Sequence, residues 1–240
     1  MTTIDMDRRF GPGSDRGFFI VMAVVVALVV AAGFGPSYAA SLPPPGLPFW
    51  VHLHGAAMTA WIILFGVQAW LIGQRNLRLH KTLGWLSISL VLAIIPLGFA
   101  TNLLAIQRGA VPPFFRPVDM MAADLLDVSL FAGLFASAVL MRRKAAWHKR
   151  LMLCATILLT WPAVARLIPL RALGLSQIIP ASITIVIALA LIGPLYDLAT
   201  RRRIHPAYFW GVGAIVISHP LHALIASQPA VQAWANRLTG

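Results

Sequence analysis

Residues 52–85 read HLHGAAMTAWIILFGVQAWLIGQRNLRLHKTLGW. The stretch opens on two histidines and then runs for roughly twenty residues without a formal charge, the length a helix needs to cross a bilayer. It turns through Gln74, Arg75 and Asn76 and starts back at His80-Lys81. So continuous an apolar run reads as a helix, because a transmembrane barrel strand would alternate. Within it His54, Trp61, Gln68 and Arg75 recur every seven residues and share one stripe. An apolar helix that carries its few polar groups on one stripe turns that stripe toward the bundle interior.

The same pattern extends in both directions. The chain has 240 residues, 59% hydrophobic and 11% charged, with a mean hydropathy of +0.82. A soluble domain carries about 25% charged residues. Apolar runs fall near 17–40, 50–72, 83–107, 120–141, 151–170, 178–199 and 207–228. They predict an all-α bundle of seven transmembrane helices over 17–228, after an N-terminal tail (1–16) and before a short C-terminal segment (229–240). The first run is longer than the apolar core of a signal peptide and reads as a retained, peripheral, lipid-facing span. Trp161-Pro162 predicts a kink in the fifth span.

A net charge of +12 could suggest nucleic acid, but its distribution points to a membrane. Fourteen of the nineteen basic residues fall on one side, beside the ends of spans 1, 2, 4 and 6 and in the loops between them. The positive-inside rule then places the N-terminus in the cytoplasm and the C-terminus outside. The location expected is the bacterial inner membrane, with lipid headgroups as the partners of the basic loops and no nucleic acid. Cys154, the one cysteine, allows no intramolecular disulfide and reads as packing.

Candidate site residues sort into two layers. His80, His148 and His205 begin spans 3, 5 and 7 on the basic side. His52, His54, Asp124, Asp127, Arg166, His219 and His222 lie in the opposite half. His52 and His54 are about 200° apart around a helix, so they face one site only if the helix end is unwound. Asp124 and Asp127 stand three apart and share a face, and either acid suits an ion pair with Arg166 or Arg171. His148 and Arg166 stand five turns apart on one face of an ideal helix. His219 and His222 at i, i+3 suit chelation of one metal ion. The bland reading of all these groups is interfacial histidine and structural ion pairing. The loop before each of spans 3, 5 and 7 ends in a basic residue and histidine, which suggests a parallel repeat of helical hairpins (spans 2–3, 4–5 and 6–7).

The HxHG start, Gln68, the LHKTLGW turn, HKRLM at 148–152 and Arg166 resemble a bacterial family of multi-pass membrane proteins over roughly residues 50–170. There is a looser likeness to the cytochrome b561 group, which ligates two b-type haems with histidines on four successive helices. His54, His80 and His148 match three of those places, and aspartates stand on the helix where the fourth would be. That resemblance implies haem b held by His54, His80 and His148, Arg166 paired with a propionate or with Asp124, electron transfer, and a quinone or other redox partner. The seven-helix zinc hydrolases related to adiponectin receptors and alkaline ceramidases offer a different comparison. It implies zinc held by His54, His219 and His222, with Asp124 or Asp127 orienting an activated water. More broadly, the outer cluster His52, His54, Asp124, Asp127, His219 and His222 is the expected place for zinc or copper in a metal-dependent enzyme. A small-molecule or ion transporter is the third reading. No catalytic residue is assigned.

Overall fold

The computed structural model describes residues 15–40, 47–169 and 174–239. The tail up to residue 14, the proline-rich 41–46 connection and Arg171 lie outside them. Among the described residues the chain is helix and connecting turns: α1 (Arg16–Ala40), α2 (Phe49–Gly73), α3 (Leu77–Gln107), α4 (Pro117–Leu140), α5 (Ala145–Leu158), α6 (Trp161–Leu167), α7 (Leu175–Arg201), α8 (Ala207–Ala226) and α9 (Pro229–Thr239). Six of these, α1 to α4, α7 and α8, are long and apolar enough to cross a membrane, and α5 with α6 passes the same test as a pair bent by 46°.

The bend has a local cause. Pro162 has no N–H to donate and its ring crowds the carbonyl four residues back, so a continuous helix is broken there. The Thr160 N–H bonds the Ile157 carbonyl at 2.9 Å, and α6 restarts with Ala163 and Val164 bonding the Thr160 carbonyl. The kink expected at Trp161-Pro162 is therefore a break, and His148 and Arg166 do not share a helix face. The third span also starts earlier than its apolar run, because Asn76 caps α3 by accepting the Leu79 N–H at 3.1 Å. The segment after residue 228 continues as a helix, α9, packed on α3 and α4.

Lipid tails are as apolar as leucine, so helices here associate through close packing rather than through escape from water. Gly33 of α1 lies against the backbone of Ala163 in α6, where any Cβ would collide, and Gly211 of α8 lies against the Cys154 side chain of α5. Cys154 is thus a packing residue, as expected. Helix α1 is less peripheral than its uniform hydropathy implies. Val21, Val24 and Leu28 face outward, but Met22, Ala23 and Val26 are buried on the other side against the bundle.

One ionic knot is not among the sequence-based expectations. Asp15, Arg150 and Asp197 are each at most 1% exposed. Arg150 donates from Nε and Nη2 to Asp197 at 2.9 and 2.6 Å, and from Nη1 to the Ala146 carbonyl at 3.0 Å. Arg201 bonds Asp197 and Asp15, both at 2.9 Å, and Lys149 bonds Asp15 at 2.5 Å. The cluster ties the start of α1 to α5, to the end of α7 and to the turn before α8. Three residues read as lipid-facing charge are therefore internal, and Asp15 belongs to the bundle rather than to a tail.

Candidate functional site

The α2 stripe turns inward at His54, Trp61 and Gln68, while Arg75 lies exposed in the turn beyond the helix, and it divides the interior into two polar layers. Helix α2 is regular from Phe49, so its two histidines diverge. His52 lies with Nδ1 2.6 Å from the Tyr38 hydroxyl of α1. His54 points toward Gly98 of α3, with Val128 of α4 beside it, and its Nδ1 is buried without a partner. Two turns on, Trp61 is 3% exposed and meets Phe131 and Phe135 of α4 edge-on, with ring centroids 5.3 and 5.6 Å away. A further two turns on, Gln68 donates to the His80 carbonyl at 3.2 Å and leaves Oε1 buried with no partner among the described residues. An aromatic septum therefore separates the layers along α2.

The layer at the basic end centres on His80 and His148. Their rings stand 6.3 Å apart, centroid to centroid, at 87°. They reach one another although α3 and α5 do not pack along their lengths; both helices pack on α4. His148 Nδ1 is 2.8 Å from the Ala138 carbonyl, and since a carbonyl only accepts, that nitrogen carries the proton and Nε2 is left with its lone pair in the neutral ring. His80 Nδ1 is buried and has no partner among the described residues. The third histidine of this layer goes elsewhere. His205 lies under the ionic knot, its backbone N–H 3.3 Å from Asp197 and its Nδ1 accepting the Ala207 N–H at 3.1 Å. Burial, then the cations Arg150, Lys149 and Arg201, push its pKa down to about 3.

The opposite layer is split between two clefts. His222 Nε2 donates to Asp127 Oδ1 at 3.0 Å, and His219 stands 5.4 Å from His222, centroid to centroid. Both histidines line a cleft of about 180 Å³ with Asp119, Phe115 and Trp161. Asp119 is held at the rim by a two-bond pair with Arg116, each bond 2.6 Å. Asp124 faces away from this group, into a second cleft formed by α3, α4 and α9. Arg166 bonds the Pro162 carbonyl at 2.8 Å and lies over the Phe34 ring at 4.4 Å, so the expected pair with Asp124 is not formed.

The six residues expected as metal ligands are therefore dispersed: His52 to α1, His54 to the α2–α3 seam, Asp124 to its own cleft, and Asp127 with His219 and His222 together. Among the described residues no three His, Cys, Asp or Glu side chains are gathered closely enough to hold a metal ion. The missed residues are Asp15, Arg150, Asp197 and Arg201. Their signal was available: Asp197 lies in an apolar helix one turn before Arg201, and acids are few in this chain.

No protein-family model, curated protein or solved structure matches the chain.

Proposed function

We propose that the chain is a seven-span protein of the bacterial inner membrane, with its basic end in the cytoplasm, that holds a b-type haem between His80 and His148 and transfers electrons. The bent α5–α6 pair is the fifth span in this reading, and the hairpins α2–α3, α4–α6 and α7–α8 are parallel repeats. The observation that carries the reading is the 6.3 Å separation of two perpendicular imidazoles from successive hairpins. Two imidazoles brought together in this way are the pair of protein ligands that a b-type haem would take.

The donor set fits haem better than a bare ion. A structural or catalytic zinc site takes three or four protein ligands, whereas a porphyrin brings four nitrogens of its own and asks the protein for two. His148 is oriented by its bond to the Ala138 carbonyl, the outer support that ligating histidines ordinarily have. His80 supplies a buried nitrogen without another partner, and Gln68 holds the backbone at that residue. Bound haem would supply one-electron chemistry at the cytoplasmic end, with a quinone or a protein as its redox partner. The Trp61–Phe131–Phe135 septum places packed aromatic rings between the two polar layers along α2, which suits electron transfer. Arg166 takes no part at this end.

The test is an absorption spectrum of the detergent-purified protein, air-oxidised and then reduced with dithionite. A Soret band that shifts on reduction and disappears in His80→Ala and in His148→Ala is expected. A colourless protein after expression with added haem overturns the reading.

A second reading, a zinc or copper enzyme, rests on His219 and His222, where the Asp127 carboxylate orients one of two adjacent imidazoles; this pair is all that the described residues offer an ion there. Metal retained at full occupancy in the His219→Ala, His222→Ala double variant excludes it.

A further inference from the structure

The second cleft is built for a ligand of a definite kind. It encloses about 280 Å³ between α3, α4 and α9, and its walls are apolar: Phe99, Leu103, Ile106, Met121 and Trp234 among them. Two polar side chains from α3 and α4 enter it, Asp124 and Asn102. Asp124 has no ion pair or hydrogen bond among the described residues. The Asn102 amide is oriented by donation from Nδ2 to the Met120 carbonyl at 3.5 Å, which leaves Oδ1 buried without a partner. The cleft thus offers one carboxylate, Asp124, in apolar surroundings where an unpartnered polar group is costly. What complements it is a hydrogen-bond donor of positive charge on a hydrophobic body.

We propose that this cleft binds a primary ammonium group carried on an apolar chain or ring, with Asp124 as its counter-ion. The volume sets the size of the body. A cavity of about 150 Å³ holds benzene, so this one takes a single ring with a short alkyl arm. Primary ammonium groups occur on free lipophilic amines, and phosphatidylethanolamine carries one on a two-carbon arm from its phosphate. The site is independent of the haem at the other end of the bundle, and its failure would leave that reading untouched.

The experiment uses the full chain in phosphatidylcholine–phosphatidylglycerol nanodiscs, with equilibrium dialysis of radiolabelled 4-phenylbutylamine and empty nanodiscs as the partition control. Saturable binding above the control is expected, weakened at least about ten-fold by Asp124→Asn, as loss of a charge-assisted bond implies. The carboxylate analogue 4-phenylbutanoate should compete at least ten-fold less well than unlabelled amine. Leu103→Trp, which fills the cleft and keeps the carboxyl, should abolish binding while the thermal midpoint stays near that of the unaltered protein. Displacement on adding phosphatidylethanolamine to the discs assigns the site to the lipid headgroup; binding unchanged by it assigns the site to a free amine. Absence of saturable binding, equal binding by Asp124→Asn, or equal competition by the carboxylate overturns the proposal.

Discussion

Arg150 and Asp197 form a two-bond ion pair, Nε to Oδ2 at 2.9 Å and Nη2 to Oδ1 at 2.6 Å, in which neither residue is exposed to any measurable extent. Arg150 rises from the first turns of α5 and Asp197 from the last turn of α7, so the pair pins together two hairpins that are distant in sequence. Such a pair is strong once made and harmful when half-made, because desolvation has already been incurred on both sides.

Replacing Arg150 by methionine leaves Asp197 and Asp15 short of a cation inside the protein. The expected loss is about 3–5 kcal/mol, read as a fall of roughly ten degrees in the thermal unfolding midpoint in detergent. Arg150→Met with Asp197→Leu removes both members of the pair and should recover part of that loss. A single variant as stable as the unaltered chain would show that the pair is not holding the hairpins together.

How far the chain could be read without its structure follows from what each signal depends on. The spans were legible because bilayer thickness fixes their length, and the inward stripe of α2 because the helical period is fixed: His54, Trp61 and Gln68 all turn inward. The approach of His80 to His148 was foreshadowed by their equal places in successive turns. The destinations of individual polar groups were not legible. Asp124 and Asp127 are three apart, yet one lines the α3–α9 cleft and the other bonds His222, because two neighbouring helices compete for one face of α4. The ionic knot was hidden by a rule about charge at membrane surfaces, which counts arginines and lysines and takes no account of the acids that draw them inside.

His205 makes stability depend on pH in a definite direction. Its ring is 1% exposed, its Nδ1 must stay unprotonated to accept the Ala207 N–H, and Arg150, Lys149 and Arg201 oppose a charge there. The folded protein therefore keeps it neutral down to about pH 3, while the unfolded chain protonates it below about pH 6.5. Between those values the unfolded state binds the extra proton, so stability falls as pH falls. The loss attributable to this residue is about 2 kcal/mol at pH 5, at 1.36 kcal/mol per unit. His205→Asn keeps an acceptor for the turn and has nothing to titrate. The difference between the two midpoints should shrink from pH 7 to pH 5, and a constant difference would rule the mechanism out.

Gly33 sets how closely α1 approaches α6. A Cβ there would meet the Ala163 backbone, which cannot rotate away as a side chain can. Gly33→Ala should cost about 1–3 kcal/mol by overpacking. Alanine at Gly35, which has open space around its would-be Cβ, should be close to neutral. Equal effects of the two substitutions on the unfolding midpoint would mean that the α1–α6 approach is not tight.

The bond from His222 Nε2 to Asp127 Oδ1 is the one described side-chain link between α4 and α8, and it is asymmetric in what its loss exposes. Asp127 is 5% exposed and already has Oδ2 without a partner, so His222→Ala strands the whole carboxyl. Asp127→Asn retains an oxygen that can accept the same N–H. The single variants should therefore differ, His222→Ala being the more harmful. Replacing both, as His222→Ala with Asp127→Leu, should be milder than the sum of His222→Ala and Asp127→Leu taken singly. A coupling of about 1–2 kcal/mol is expected for a polar bond between membrane helices, measured by a double-mutant cycle on unfolding in mixed micelles. Additive effects would mean that the two groups do not interact in the folded protein, and the proposed role of Asp127 in orienting His222 for a metal would go with them.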